Sequence, residues 1–141
     1  MKASNSPPEK YFFQAYHREF KQLGPGRPAL IPQVYVHFDP FTKKQVMDRK
    51  PLPFQRMDFL LLFPLGGRVV VEIDGIQHYS ESNRPSPSKY AEMVREDRAL
   101  ALRGYEVYRF GAAELPDQEA AFILVRDFFG SLFSKHDLAR R

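Results

Sequence analysis

Asp58-Phe59-Leu60-Leu61-Leu62-Phe63-Pro64-Leu65-Gly66-Gly67-Arg68-Val69-Val70-Val71-Glu72-Ile73-Asp74-Gly75 is the stretch on which the reading of this chain turns. Two apolar runs, Phe59 to Phe63 and Val69 to Val71, are joined by Pro64-Leu65-Gly66-Gly67 and read as a β-hairpin. A carboxylate stands at the open end of each strand, Asp58 before the first run and Glu72 after the second. Asp and Glu are depleted in strands. Burying them is costly unless they are paired or bound to a cation. Strand folding alone therefore gives no reason for this pair.

Register decides whether the two acids meet. Directly opposed residues of antiparallel strands share a face. If Leu60 faces Val70, then Asp58 faces Glu72. A slip of one residue sends the two carboxylates to opposite faces. Glu72 and Asp74 share a face in either case, because strand side chains alternate. Only the first register builds a site of oxygen ligands, the kind that hard divalent cations such as Mg²⁺ prefer.

Composition frames the rest. A chain of 141 residues is expected to form a single domain with a sizeable core. It has no cysteine, so neither a disulfide framework nor a thiolate metal site is expected. The net charge of +4 is compatible with a polyanionic partner without requiring one. The opening Met1 to Lys10 is polar and carries two prolines, unlike a signal peptide. The longest apolar run, Phe59 to Leu65, is far too short to span a bilayer. The expectation is a soluble, cytoplasmic protein with no membrane partner.

Outward from the hairpin, Ser6-Pro7-Pro8-Glu9 has the form of a capping box and starts a helix on which Phe12, Tyr16, Phe20 and Leu23 recur at helical spacing. Glu9 reads as a cap that also lies near the inward stripe. Gly24-Pro25-Gly26 ends the helix, and Gln33 to Phe38 alternates as a strand. Residues 39–55 read as a loop, in which Lys43 and Lys44, with Arg56 just beyond, offer a surface for phosphate. Solvated basic loops are nonetheless commoner than binding loops.

After the hairpin, Tyr79 to Ser88 reads as irregular. A helix follows from Ser86-Pro87 to about Arg103, with Gly104 as its left-handed cap and Tyr90, Val94, Asp97 and Ala101 on one face. Tyr105 to Phe110 alternates as another strand. Leu115-Pro116-Asp117 opens a last helix whose expected core side is Phe122, Ile123, Val125, Phe128, Phe129 and Leu132. The β–α–β segment from Arg68 to Phe110 fits a right-handed crossover between parallel strands. The expected fold class is α/β, a mixed central sheet flanked by helices.

With these elements in place, the string Val71-Glu72-Ile73-Asp74-Gly75 and Gln77-His78, with Asp58-Phe59 before it and Arg95, Asp97-Arg98, Leu102, Gly104-Tyr105, Val107 and Arg109-Phe110 after it, resembles a known family. It is similar to the endonuclease-like domains related to the very short patch repair endonuclease, within the PD-(D/E)xK or restriction-endonuclease-like superfamily. The similarity spans nearly the whole chain. It implies an α-β-β-β-α-β core followed by a C-terminal helix, and Mg²⁺- or Mn²⁺-dependent cleavage of nucleic acid, with DNA the expected partner, in defence or repair. It implies Asp58, Glu72 and the Ile73 carbonyl as metal ligands. Glu9 in the first helix and Gln33 on its strand would lie near the site. The lysine usual two residues after Glu72 is here Asp74, an aspartate that the nearest subtype shares. Asp74 either holds a second metal or shapes a turn with Gly75. Gln77 and His78 are the nearby polar substitutes, and the His78 ring suits a base.

The other charged residues have plainer readings beside the functional ones. Lys89, Arg95 and Arg98 on the helix could meet phosphate, while Arg95 also stands three residues after Glu92 as an ordinary helix pair. Asp97 is expected to pair with Arg109 of the next strand. A catalytically silent nucleic-acid-binding or interaction module of the same fold is the alternative to a nuclease. A transposase or recombinase subunit is a third option. The domain could belong to a larger host protein or act as a homodimer.

Overall fold

The hairpin forms in the register that brings the two acids face to face. In the computed structural model, which describes residues 6–21, 26–35, 56–64, 66–75, 80–81 and 84–136, β2 (Arg56–Leu62) pairs antiparallel with β3 (Arg68–Asp74). Phe59 stands opposite Val71, Leu60 opposite Val70 and Leu62 opposite Arg68. The same register runs into the turn, where the Phe63 N–H donates to the Gly67 carbonyl at 2.9 Å. Followed the other way, it sets Asp58 opposite Glu72.

On the other side of β2 lies β1 (Ala29–Tyr35), also antiparallel. The strand expected over 33–38 thus starts earlier, at Ala29, and residues 36–38 lie outside the described residues. Pro32 had obscured this start. Proline cannot donate to a ladder and is tolerated on an edge strand, and β1 is the edge of a sheet ordered β1-β2-β3-β6. With β1, β2 and β3 antiparallel, the sheet is mixed because β6 (Glu106–Gly111) lies beside β3 after a crossover. The chain is of the α/β class, as expected.

The crossover contains α2 (Pro87–Leu102), capped at its start by Ser86, whose hydroxyl accepts from the Lys89 N–H at 3.3 Å. Its end is a Schellman motif. The Tyr105 N–H reaches back to the Leu100 carbonyl at 3.1 Å, and the Gly104 N–H reaches Ala101 at 3.1 Å. Gly104 has φ of 100°, where a side chain is strained. A Cβ there would touch nothing, so the cost of substitution is in the backbone alone. Gly104→Ala is expected to lower stability by about 1–2 kcal/mol, read as a lower urea midpoint with an unchanged slope.

Leu100 and Tyr105, the two ends of that motif, join Met57, Leu60 and Val70 in one buried cluster, with Val34, Leu62 and Val107 packed against it. The inward side of α2 is Met93, Val94, Asp97 and Leu100, whereas Tyr90 is 56 % exposed and Ala101 is exposed. This corrects the expected face by part of a turn. Tyr90 lies in the first turn of the helix, where apolar spacing carries little information about direction. The segment expected to be irregular holds a small pair, β4 (Ser80–Glu81) with β5 (Arg84–Pro85). Two-residue strands have no periodicity to read.

Contacts group Pro28–Phe110 as one compact unit and the terminal segments, Met1–Arg27 with Gly111–Arg141, as another. The second unit is an aromatic helix pair. In α1 (Pro7–Phe20) the Ser6 hydroxyl accepts from the Glu9 N–H at 3.4 Å and donates to the Glu9 carboxylate at 3.2 Å, the cap that the sequence suggests. A 3-10 turn, Ala112–Glu114, leads to α3 (Gln118–Lys135), capped by Asp117. Tyr16 packs on Phe129 with ring centroids 4.6 Å apart. The buried stripe of α3 is Ala121, Val125, Phe129, Leu132 and Phe133. Ile123, expected inside, is 50 % exposed. Burial follows every fourth residue from Ala121, which leaves Ile123 off the stripe despite its apolar side chain.

Candidate functional site

The site is assembled at the open end of the hairpin, within the sheet unit. Asp58, Glu72 and Asp74 are 6, 9 and 8 % exposed, so three acids are buried together. By strand alternation they share the face of Leu60 and Val70, the face on which Leu100 of α2 packs. Asp58 and Glu72 are held by the hairpin itself. The Asp58 N–H donates to Oε2 of Glu72 at 2.6 Å, and the Ile73 N–H donates to Oδ2 of Asp58 at 2.9 Å. Each strand's carboxylate thus grips the other strand's backbone where the ladder ends.

An irregularity on β1 accompanies this grip. The β1–β2 ladder pairs Pro32 with Phe59 and Val34 with Met57 but passes over Gln33 and Asp58. Gln33 has φ of 51°, a left-handed conformation unusual for a residue other than glycine. Local backbone strain of this kind gathers at functional sites. Gln33, expected near the site, stands across from Asp58.

Electrostatics within the cluster are unfavourable without a cation. Burial, and then repulsion from Asp58, hold the Glu72 carboxyl well above the ordinary 4.5. Asp74 adds repulsion, while the hydrogen bond from the Asp58 N–H and the Arg109 guanidinium oppose it.

Arg109, from β6, brings a positive charge to this region. Its Nε and Nη2 donate to the two oxygens of Asp97, both at 2.7 Å, and its Nη1 donates to Asp74 at 2.6 Å. The expected Asp97–Arg109 pair is present, and Asp74 joins it. Asp74 closes β3 as a buried strand residue, and its carboxylate is engaged by Arg109. Sequence reading paired Arg109 with Asp97 and did not place it among the site residues. The available signal was a charge in the middle of the alternating strand Tyr105 to Phe110.

The chain matches no protein-family model, no curated protein and no solved structure.

Among the described residues, no three His, Cys, Asp or Glu side chains converge as a metal cluster. The acids available to a cation are the opposed pair, since Asp74 is turned to Arg109. An opposed carboxylate pair whose mutual repulsion raises the pKa of one member fits a hard divalent ion. The Ile73 carbonyl follows Glu72 in the chain and could add a main-chain oxygen.

The remaining expected residues are spread more widely. Lys89 is partly buried at the start of α2, and Arg95 and Arg98 are exposed on the same helix. Glu9 belongs to the helix-pair unit, at the start of α1. Gln77, His78, Lys43 and Lys44, and the side chain of Arg56, lie outside the described residues.

Proposed function

We propose that this chain is a divalent-metal-dependent endonuclease of the restriction-endonuclease-like fold, acting on nucleic acid and on DNA in the first place. The observation that carries the reading is the opposition of Asp58 and Glu72, buried on one face of the hairpin and gripping each other's backbone. A hydrophobic pair at these positions would stabilise the sheet at lower cost. Retaining two acids there has a physical reason if a cation joins them.

Asp58, Glu72 and the Ile73 carbonyl would hold Mg²⁺ or Mn²⁺. The ion, when bound, supplies Lewis acidity and a lowered pKa for its water. The chain's own contribution is to fix the ligands. The Ile73 N–H orients Asp58 and the Asp58 N–H orients Glu72, so neither carboxylate needs to reorganise as charge develops. Lys43, Lys44, Arg56, Lys89, Arg95 and Arg98 are assigned to the phosphate backbone. Gln77 and His78, shortly after β3, are assigned to the attacking water.

The test is cleavage of supercoiled plasmid and of single-stranded DNA with Mg²⁺ or Mn²⁺. Nicked or linear product that disappears with EDTA is the expected result. Backbone binding should also weaken steeply with salt. Binding of DNA with no cleavage under any divalent condition favours the silent module instead.

A further inference from the structure

Arg109 is gripped by two carboxylates, Asp97 and Asp74, and Asp74 shares a strand face with the opposed pair Asp58 and Glu72. Asp58, Glu72 and Asp74 sit on strands of one sheet face, Asp97 on the helix that covers it, and Arg109 bridges Asp74 to Asp97, its side chain 17 % exposed. Asp97 grips Arg109 through two parallel hydrogen bonds, the geometry that fixes a guanidinium plane most firmly. Asp74 takes only one further N–H. A guanidinium carries more donors than these three. Glu72 stands two residues before Asp74 on the same face of β3. A simple ion pair between β6 and α2 would need Asp97 alone. The added bond ties the guanidinium to Asp74, on the strand face that carries Glu72.

We propose that Arg109 is the fixed positive charge of this site, set in place by Asp97 and Asp74 so that its remaining N–H groups donate to an oxygen of the scissile phosphate. The inference rests on the nuclease reading and adds its substrate-contacting cation. Asp97 is then a positioning residue that acts through Arg109. Lysine cannot reproduce the planar fork, but it keeps the charge.

Arg109→Gln, Arg109→Lys and Asp97→Asn are compared with the wild-type protein, each checked for folding by circular dichroism. Cleavage of plasmid DNA is measured beside Mn²⁺ affinity by titration calorimetry. For Arg109→Gln, cleavage should fall about a hundredfold, the scale seen when one transition-state donor is lost. Its Mn²⁺ affinity should be undiminished or tighter, because a positive charge near the acids is gone. Arg109→Lys should recover about tenfold of the lost rate. Asp97→Asn should lower kcat with KM and Mn²⁺ affinity unchanged, which a merely structural pair would not do.

Wild-type cleavage rates in a folded Arg109→Gln overturn the inference and leave the nuclease reading standing. So does a loss of Mn²⁺ affinity in step with cleavage, or a lysine variant no better than glutamine. If Arg109→Gln does not fold, Asp97→Asn decides, and an unchanged kcat there overturns the inference. A wild-type protein that binds Mn²⁺ but cleaves nothing removes the nuclease reading and this inference with it.

Discussion

Replacing Asp58 or Glu72 with alanine is expected to abolish metal-dependent cleavage. A bound divalent ion contributes several kcal/mol of charge stabilisation. At about 1.4 kcal/mol per decade, its loss lowers the rate on the order of a thousandfold or more. The two substitutions should not add, because both remove the same ion. Their effects on the fold differ in origin. Asp58→Ala leaves the Ile73 N–H without its 2.9 Å acceptor, a cost of about 1–3 kcal/mol for a buried donor. It also removes the main charge that repels Glu72. Asp58→Asn keeps an oxygen for Ile73 and separates the two effects. It should stay folded and still fail to cleave. Plasmid nicking followed over time, with circular dichroism of each variant, checks this. A Glu72→Ala protein that cleaves DNA at the wild-type rate removes the proposed function.

The second large effect is on stability, and it couples pH to metal. Burial and Asp58 raise the Glu72 pKa in the folded protein well above the 4.5 of an ordinary glutamate. Between those two values the folded state binds more protons than the unfolded state. Stability of the metal-free protein therefore falls as pH rises through this window. Below about 4.5 this penalty is absent. A cation that joins the ionised pair offsets the penalty at neutral pH, by an amount that binding linkage sets. At a free metal concentration one hundred times its Kd, the linkage gain is about 2.7 kcal/mol. Mn²⁺ should accordingly raise Tm by several degrees at pH 7.5 and far less at pH 4.5. Glu72→Gln should be more stable than wild type without metal at pH 7.5 and should lose the Mn²⁺ response. Scanning calorimetry at the two pH values measures both. Equal Mn²⁺ shifts for wild type and Glu72→Gln would show that the ion binds elsewhere.

Much of the architecture was legible because local signals agreed with tertiary packing. Ser6, Ser86 and Asp117 each cap a helix where a short polar residue precedes the first turn. Gly104 ends α2 because only glycine enters its conformation without strain. The hairpin of β2 and β3 follows from two apolar runs and a short turn, and of the two registers open to it the structure adopts the one in which Asp58 and Glu72 meet. Errors arose where periodicity was weak. Tyr90 and Ile123 are apolar yet exposed, and β1 begins ahead of a proline.

By itself the sequence determined the α/β order, the three helix starts and the hairpin that carries the two acids, because helix caps, turns and strand alternation are local consequences of residue type. The register that opposes the acids came with the structure. Tertiary structure alone decided that Asp74 joins the Asp97–Arg109 pair. Arg109 lies far along the chain from Asp74, and only the placement of β6 beside β3 brings them to 2.6 Å. The left-handed Gln33 likewise appears only once β1 is laid against Asp58. Side-chain pairing across a crossover depends on where three separate elements come to rest, and no spacing in the sequence encodes that distance.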